Sequence, residues 1–373
     1  LSEYASAVRR LLIALLISSL AFSVNPASAL HSLEKYVNAD QLSKPGLLIL
    51  NPDGTVLAEN EPDSLRAPAS VLKLLSMAVV LANLDSTSRY ATTVWGTRKK
   101  REFVLIGSLD PFLSVNRSVS DKYGHGYLMG LLSRAGVLDS KKVVINYTAL
   151  YPGDVKGLKV VFKQRGIRAT LKKVNGITAT EIGVEELSTL ASKPLSKMVS
   201  HVILWSDNVV ADRLAKAVNR QLGNPASAKG LTNTFKGELA KLNVNTSGLV
   251  VKDGSGLSRE NRVSARTVVE LLRVIRNDPR YAAIYEGLPI SGKTGTLVKR
   301  FEKVPAAINH VHAKTGWINR SVTMAGYAES GNQEYAFAIL ADGINPNLRA
   351  RNAARRTMDK LLEVVVKGNH QTP

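Results

Sequence analysis

Lys73 is the only charged side chain between Ser70 and Leu84. That run is too long for a strand and apolar on every side, which predicts a helix buried in the middle of a domain. Enclosing an ammonium there is costly, and the usual escape is a lowered pKa, leaving a neutral amine that can act as a base. Ser70 lies three residues earlier, one helical turn away on the same face. A hydroxyl beside a base at a helix N-terminus is an activated nucleophile. The spacing alone carries little, because Ser32–Lys35 repeats it on a polar stretch beside Glu34, where the lysine is solvated.

Two tripeptides add to the pair. Ser206-Asp207-Asn208 follows Trp205 and opens a helical pattern at Val209; by itself it reads as a helix cap. Lys314-Thr315-Gly316 lies on a strand pattern, with Gly316 where a ligand backbone could approach closely. Lys293-Thr294-Gly295 duplicates the tripeptide, but it sits among Pro289, Gly292 and Gly295, which suits a loop. Lys314 is preferred because strand-like runs follow it. Ser-x-x-Lys, Ser-Asp-Asn and Lys-Thr-Gly in this order are the set carried by penicillin-binding proteins and class A β-lactamases.

The elements that must position these residues read as follows. His31–Leu42 fits a short helix, and Leu47–Leu50 and Thr55–Ala58 fit two strands around the turn Asn51-Pro52-Asp53-Gly54. Helical periodicity is expected from Val184 to about Leu222, interrupted near Ser206, and again over Ser264–Arg276. Three strands, His310–Lys314, Ser321–Ala328 and Glu334–Leu340, precede a closing helix over roughly Arg349–Val366. Mixed helices and antiparallel strands predict an α+β fold rather than repeating βαβ units.

Between residues 97 and 182 the texture changes to basic clusters and short β-rich runs, read as an inserted, small β-rich subdomain. The expected organisation is a leader over 1–29, a catalytic domain over 30–96 and 183–373, and an accessory subdomain over 97–182.

The chain has 373 residues, 45% hydrophobic and 21% charged, which allows a sizeable core and excludes wholesale disorder. It has no cysteine, which removes disulfides, thiolate zinc sites, iron–sulfur clusters and cysteine nucleophiles. Arg9 and Arg10 precede an apolar run of 14 residues from Leu11 to Val24, and Ala27-Ser28-Ala29 follows as a small-x-small cleavage site. These predict export, or membrane tethering if the leader is uncleaved. The net charge is +20, and between Arg98 and Lys173 stand 16 basic against 5 acidic residues. Outside the membrane such a patch suits anionic wall polymers or a membrane surface rather than nucleic acid.

The chain resembles one family in particular, the D-alanyl-D-alanine carboxypeptidases/endopeptidases of the low-molecular-mass, class C penicillin-binding type (peptidase family S13). Ala67-Pro-Ala-Ser-Val-Leu-Lys73 is similar to its nucleophile box and Ser206-Asp-Asn208 to its second box. Asp253-Gly-Ser-Gly-Leu-Ser-Arg-Glu-Asn-Arg262 is similar to a signature of that family, and Leu288-Pro-Ile-Ser-Gly292, Gly295-Thr-Leu297 and His312-Ala-Lys-Thr-Gly316 continue it in order. It departs in three places. Ser206 follows Ser70 by only 136 positions, fewer than the family's usual insertion gives; Thr294 stands where Asp is usual; and Trp317 follows Lys-Thr-Gly where Thr is typical.

The resemblance implies a penicillin-binding protein/β-lactamase-like transpeptidase fold, an antiparallel sheet flanked by helices with a helical subdomain. It implies acyl transfer to Ser70, with Lys73 as base and Lys314 helping to keep Lys73 unprotonated while attracting the substrate's terminal carboxylate. Thr315 and Gly316 would bind that end of the substrate, and Ser206 would relay a proton to the leaving nitrogen. Asn208 would hold the peptide amide and Lys73. The backbone N–H groups of Ser70 and Trp317 would form the oxyanion hole. Peptidoglycan stem peptides and β-lactam antibiotics are the implied partners; no cofactor or metal is expected, and His310-x-His312 reads as strand alternation.

Two other readings share the scaffold: a serine β-lactamase using Glu238 and Asn243, and a catalytically weak or inactive cell-wall-binding protein, suggested by Trp317, Thr294 and the basic insertion.

Overall fold

The computed structural model describes residues 33–368, so the leader expected over 1–29 lies outside the described residues. The chain enters with strands β1 (Lys44–Leu50) and β2 (Val56–Asn60), an antiparallel hairpin. Asp53 closes its turn by accepting from Thr55 N at 2.8 Å. A 3-10 turn, Ala69–Val71, then leads into helix α1 (Leu72–Asn83). Leu72 through Leu81 are all buried, so α1 is enclosed on every side, as its lack of a polar face requires.

Next comes a second unit built on its own sheet. Its strands are β3 (Ala91–Gly96), β4 (Glu102–Ile106), β7 (Lys142–Thr148), β8 (Arg168–Lys173) and β9 (Glu185–Ala191), in the order β8-β7-β4-β3-β9. Two short strands, β5 (Leu113–Ser114) and β6 (Gly126–Tyr127), pair separately. Val94, Leu105, Leu128, Val143, Leu158 and Phe162 belong to a core of its own.

Three expectations change here. The sheet takes in β3 and β9, so the unit extends beyond 97–182 on both sides. β4, β7 and β8 run parallel, and helix α2 (Pro152–Gln164) crosses from β7 to β8. The unit is therefore mixed α/β, and it contains a βαβ crossover that the overall α+β pattern concealed. Finally, Glu185–Ala191 is a strand, not the start of a helix, because pairing with β3 decides the conformation of a segment with little preference of its own.

The chain then returns through α3 (Leu195–Trp205), α4 (Asn208–Gln221), helix Ala228–Ala240 and α5 (Ala265–Asn277), which pack with α1 into the largest core. Strands β10 (Val311–Ile318), β11 (Ser321–Ser330) and β12 (Gln333–Asp342) complete a five-stranded antiparallel sheet, order β10-β11-β12-β1-β2. Helix α6 (Leu348–Val366) packs into a separate core that shares residues with the same sheet. Both faces are thus covered, which explains the unbroken burial from Ser321 to Ala328. No helix among the described residues is long and apolar enough to cross a membrane. The architecture is α+β, with β10 at the sheet edge facing the turn that carries Ser70.

Candidate active site

The turn bearing Ser70 is clamped from two sides by backbone that tolerates only glycine. Gly256 has φ +86°, and a Cβ there would lie 1.9 Å from Ala69 O. A Cβ on Gly316 would lie 2.9 Å from Ser70 N and 2.1 Å from Thr323 Oγ1. The loop at 256 and strand β10 therefore press directly on the nucleophile's main chain. Ser321 Oγ donates to Ala67 O at 3.0 Å and Thr323 Oγ1 to Pro68 O at 2.8 Å, tying the approach to β11.

Lys73 Nζ lies 2.9 Å from Ser70 Oγ, 2.7 Å from Asn208 Oδ1 and 2.6 Å from Ser255 O. Two of these partners can only accept. A neutral amine has two hydrogens and one lone pair. With the hydrogens directed to Asn208 and Ser255, the lone pair is left facing the Ser70 hydroxyl. Burial brings the Lys73 pKa down to about 8, while the charges of Asp253 and Asp207 oppose a further fall.

Lys314 lies fully enclosed on β10 and reaches Ser206 Oγ at 2.9 Å and Thr315 O at 2.8 Å. Burial first, and the charge of Lys73 second, push its pKa well below the usual lysine value. Burial thus acts on both amines, and their mutual repulsion disfavours charging both at once. Ser206 ends α3 in the left-handed region, φ +61°, a strained position for a residue with a Cβ. Asp207 then caps α4, its Oδ1 accepting from Val209 N at 2.9 Å and Val210 N at 3.0 Å. That reversal aims Ser206 at Lys314 and Asn208 at Lys73 from adjacent turns.

The edge strand also sets the main-chain donors. Successive N–H groups along an antiparallel strand alternate between the partner strand and the outside. Ala313 N donates outward to Pro289 O at 2.9 Å, so the N–H of Trp317, four residues on, points the same way, out of the sheet. The Trp317 indole is partly exposed, with the guanidinium groups of Arg351 and Arg355 at 4.8 and 4.9 Å from the ring centroid.

The structure thus brings Ser70, Lys73, Ser206, Asn208 and Lys314 into one cluster, with Thr315, Gly316 and Trp317 along its edge. Lys293-Thr294-Gly295 lies in a tight turn, with Thr294 Oγ1 accepting from Ile290 N at 2.9 Å. Glu238 is not near the nucleophile. It binds Asn83 Nδ2 at 3.0 Å, ten residues beyond Lys73 and so roughly 15 Å along the helix axis. The general base a β-lactamase needs is therefore missing from that position.

Two contributors lie outside the site residues expected from the sequence. Asp253 accepts at 2.7 Å from Ser255 N, Gly256 N and Ser258 N, and so folds its loop to offer Ser255 O to Lys73. The Asp-Gly-Ser-Gly run was the available signal. Thr296 Oγ1 lies 2.8 Å from Thr315 Oγ1 and fixes that hydroxyl. Beside the cluster a cavity of about 610 Å³ is lined by Asn208, Asp253 and Ser255 and, from the second unit, Tyr151 and Gly153.

A serine activated by a buried lysine against the edge strand of an antiparallel sheet defines a serine–lysine acyltransferase. Comparison with known proteins gives the particular family. Residues 128–365 match the D-Ala-D-Ala carboxypeptidase 3 (S13) family. Carboxypeptidase Rv3627c of Mycobacterium tuberculosis is 26% identical over 361 residues, covering 83% of this chain and 77% of that protein. D-alanyl-D-alanine carboxypeptidase DacB of Haemophilus influenzae is 32% identical over 155 residues, 41% of this chain and 32% of that one. Among solved structures, penicillin binding protein 4 (dacB) from Haemophilus influenzae superposes with a TM-score of 0.68 at 16% identity, covering 92% of this chain and 99% of that one; at that identity the likeness is one of fold. The chain belongs to the D-Ala-D-Ala carboxypeptidase 3 (S13) family. It is an enzyme, a serine-type D-Ala-D-Ala carboxypeptidase.

Proposed function

We propose that this chain cleaves the terminal D-alanine from peptidoglycan stem peptides through an acyl-enzyme on Ser70. Lys73, as the neutral amine, takes the Ser70 proton while Oγ bonds to the carbonyl carbon of the penultimate D-alanine. The carbonyl electrons move onto oxygen, which receives the N–H groups of Ser70 and Trp317, each donor contributing about 3–4 kcal/mol. As the tetrahedral intermediate collapses, the C–N bond breaks and Ser206 relays to the departing nitrogen the proton that Lys73 took from Ser70, so that Ser206 keeps its hydroxyl and Lys73 is neutral again. Lys314 and Thr315 hold the substrate's terminal carboxylate, and Asn208 holds the peptide amide. Water then attacks the ester and frees Ser70. A β-lactam would form the same ester and release slowly.

The observation that carries this reading is the contact of Lys73 Nζ with Ser70 Oγ at 2.9 Å, with both of the amine's hydrogens spoken for elsewhere. In support of an extracytoplasmic location stands the leader pattern from Arg9 to Ala29. The basic excess of the second unit suits an anionic partner at the wall. The test is one gel with fluorescent penicillin on wild type and Ser70→Ala, paired with D-alanine release from a pentapeptide. Label and release with the wild type alone are expected. Label on both proteins would remove Ser70 as nucleophile; wall binding without any release would leave a binding protein on this scaffold.

A further inference from the structure

Asp207 has a second carboxylate oxygen that the acyl-transfer chemistry does not use. With Oδ1 fixed as the cap of α4, Oδ2 faces His201 Nε2 at 3.3 Å and His125 Nε2 at 3.4 Å, and the two imidazole nitrogens lie 3.4 Å apart. The three atoms form a nearly equilateral triangle. A tetrahedral ion bound at about 2.0–2.1 Å has ligand-to-ligand edges of about 3.3 Å. These side chains therefore already occupy three corners of a zinc-sized tetrahedron. Hydrogen bonding accounts for the arrangement less well, since charge-assisted contacts to a carboxylate close to about 2.7–2.9 Å.

The surroundings suit a metal. The side chains of His125, His201 and Asp207 are 7%, 8% and 18% exposed. Phe112 stacks on His125 at 3.9 Å and meets His201 edge-on at 4.8 Å, giving an apolar shell that limits competing water. Asp110 is buried, and its Oδ2 has no hydrogen-bond partner. Its Oδ1 accepts from Phe112 N at 2.8 Å, which holds the carboxylate in the same turn as the ring that stacks on His125.

We propose that His125 Nε2, His201 Nε2 and Asp207 Oδ2 bind one divalent transition-metal ion, zinc in the first place, with water in the fourth position. The donor set of two imidazoles and one carboxylate is that of a borderline ion rather than calcium or magnesium. The ligands come from three places: the second unit just after the helix Arg117–Tyr123, the last turns of α3, and the loop between Ser206 and Asn208. The ion would fasten the second unit to that loop. The spacing, 76 residues and then 6, matches no short motif, which is why only the folded chain assembles it.

The full chain, stripped with a chelator and desalted, is titrated with zinc by calorimetry, with a chromophoric chelator as competitor. One equivalent is expected to bind and to raise Tm. His125→Ala and His201→Ala are each expected to weaken binding at least about 100-fold. The His310→Ala/His312→Ala double variant removes the two histidines beside Glu329 and is expected to bind as wild type does. Cobalt in place of zinc is expected to give the intense visible bands of a four-coordinate ion. That readout on the wild type does not depend on any variant folding. No saturable binding at one equivalent, binding indifferent to both His125→Ala and His201→Ala, or a weak six-coordinate cobalt spectrum would each overturn the site. None of these readouts requires carboxypeptidase turnover.

Discussion

Ser255 presents its carbonyl oxygen 2.6 Å from Lys73 Nζ, a main-chain acceptor facing the amine proposed to take the Ser70 proton. This contact orients the base as well as holding it. Together with Asn208 Oδ1 it takes up both hydrogens of the neutral amine, so the lone pair has one direction left, towards Ser70. The loop that supplies the carbonyl is set by Asp253, and Gly256 in the same loop touches Ala69. Base and nucleophile are therefore aligned by one short segment.

The first prediction concerns pH. Burial lowers the Lys73 pKa to about 8, and only the neutral amine can act as base. The second-order rate of acylation by benzylpenicillin should therefore rise with pH, tenfold per unit well below the pKa, and level off above about 8. Lowering the pH protonates the amine and removes the base, which fixes the sign. A rate that is flat from about pH 6 to 9, measured by stopped-flow labelling, would remove Lys73 from this role.

Gly256→Ala tests the segment itself. The new methyl would need space 1.9 Å from Ala69 O, at a φ of +86° that disfavours any Cβ. Since the methyl is fixed rigidly to the main chain and Ala69 O belongs to it, relief requires moving either the loop or the nucleophile turn. A loss of at least about 2 kcal/mol in unfolding free energy is expected, with acylation falling at least tenfold in the protein that remains folded. Wild-type stability and rate in this variant would show that the loop yields freely and does not position Ser70.

Much of this site could be read in the chain because its side chains carry a pattern. Lys73 stands out by being charged on a helix with no wet face, and Ser206-Asp207-Asn208 and Lys314-Thr315-Gly316 keep their types in order. What could not be read depends on tertiary contact. Ser255 contributes a carbonyl, which every residue has, so its identity reveals nothing. The burial that favours the neutral form of both Lys73 and Lys314 exists only in the folded chain. Glu185–Ala191 is a strand only because β3 lies beside it, and the β7–α2–β8 crossover is hidden by basic residues that obscure periodicity. His125 and His201 become neighbours only when the second unit closes on α3.

Thr296 supplies a prediction about binding rather than chemistry. Its hydroxyl sits 2.8 Å from that of Thr315 and restricts the direction in which Thr315 can donate to a carboxylate. Thr296→Val should free that rotor. One hydrogen bond of this kind contributes about 0.5–1.5 kcal/mol, roughly a 2- to 10-fold rise in KM for a peptide ending in D-alanine. The kcat should change much less, because Thr296 touches neither Ser70 nor Lys73. A kcat loss larger than the KM change would place Thr296 in the reaction itself.

Lys314 carries the last prediction. Burial and the nearby Lys73 charge push its pKa well below the ordinary lysine value. A substrate's terminal carboxylate brings a negative charge to the same place, which favours the ammonium and raises that pKa. Proton uptake from solution is the expected outcome of binding. With Ser70→Ala, which binds peptide without reacting, calorimetry at about pH 8 in two buffers of different ionisation enthalpy should give different apparent heats, the difference reporting proton uptake. A peptide ending in the carboxamide should show none. Equal heats for the acid peptide in both buffers would mean that Lys314 is already charged before substrate arrives, and that the sheet-edge cation is a standing anchor rather than one completed by the ligand.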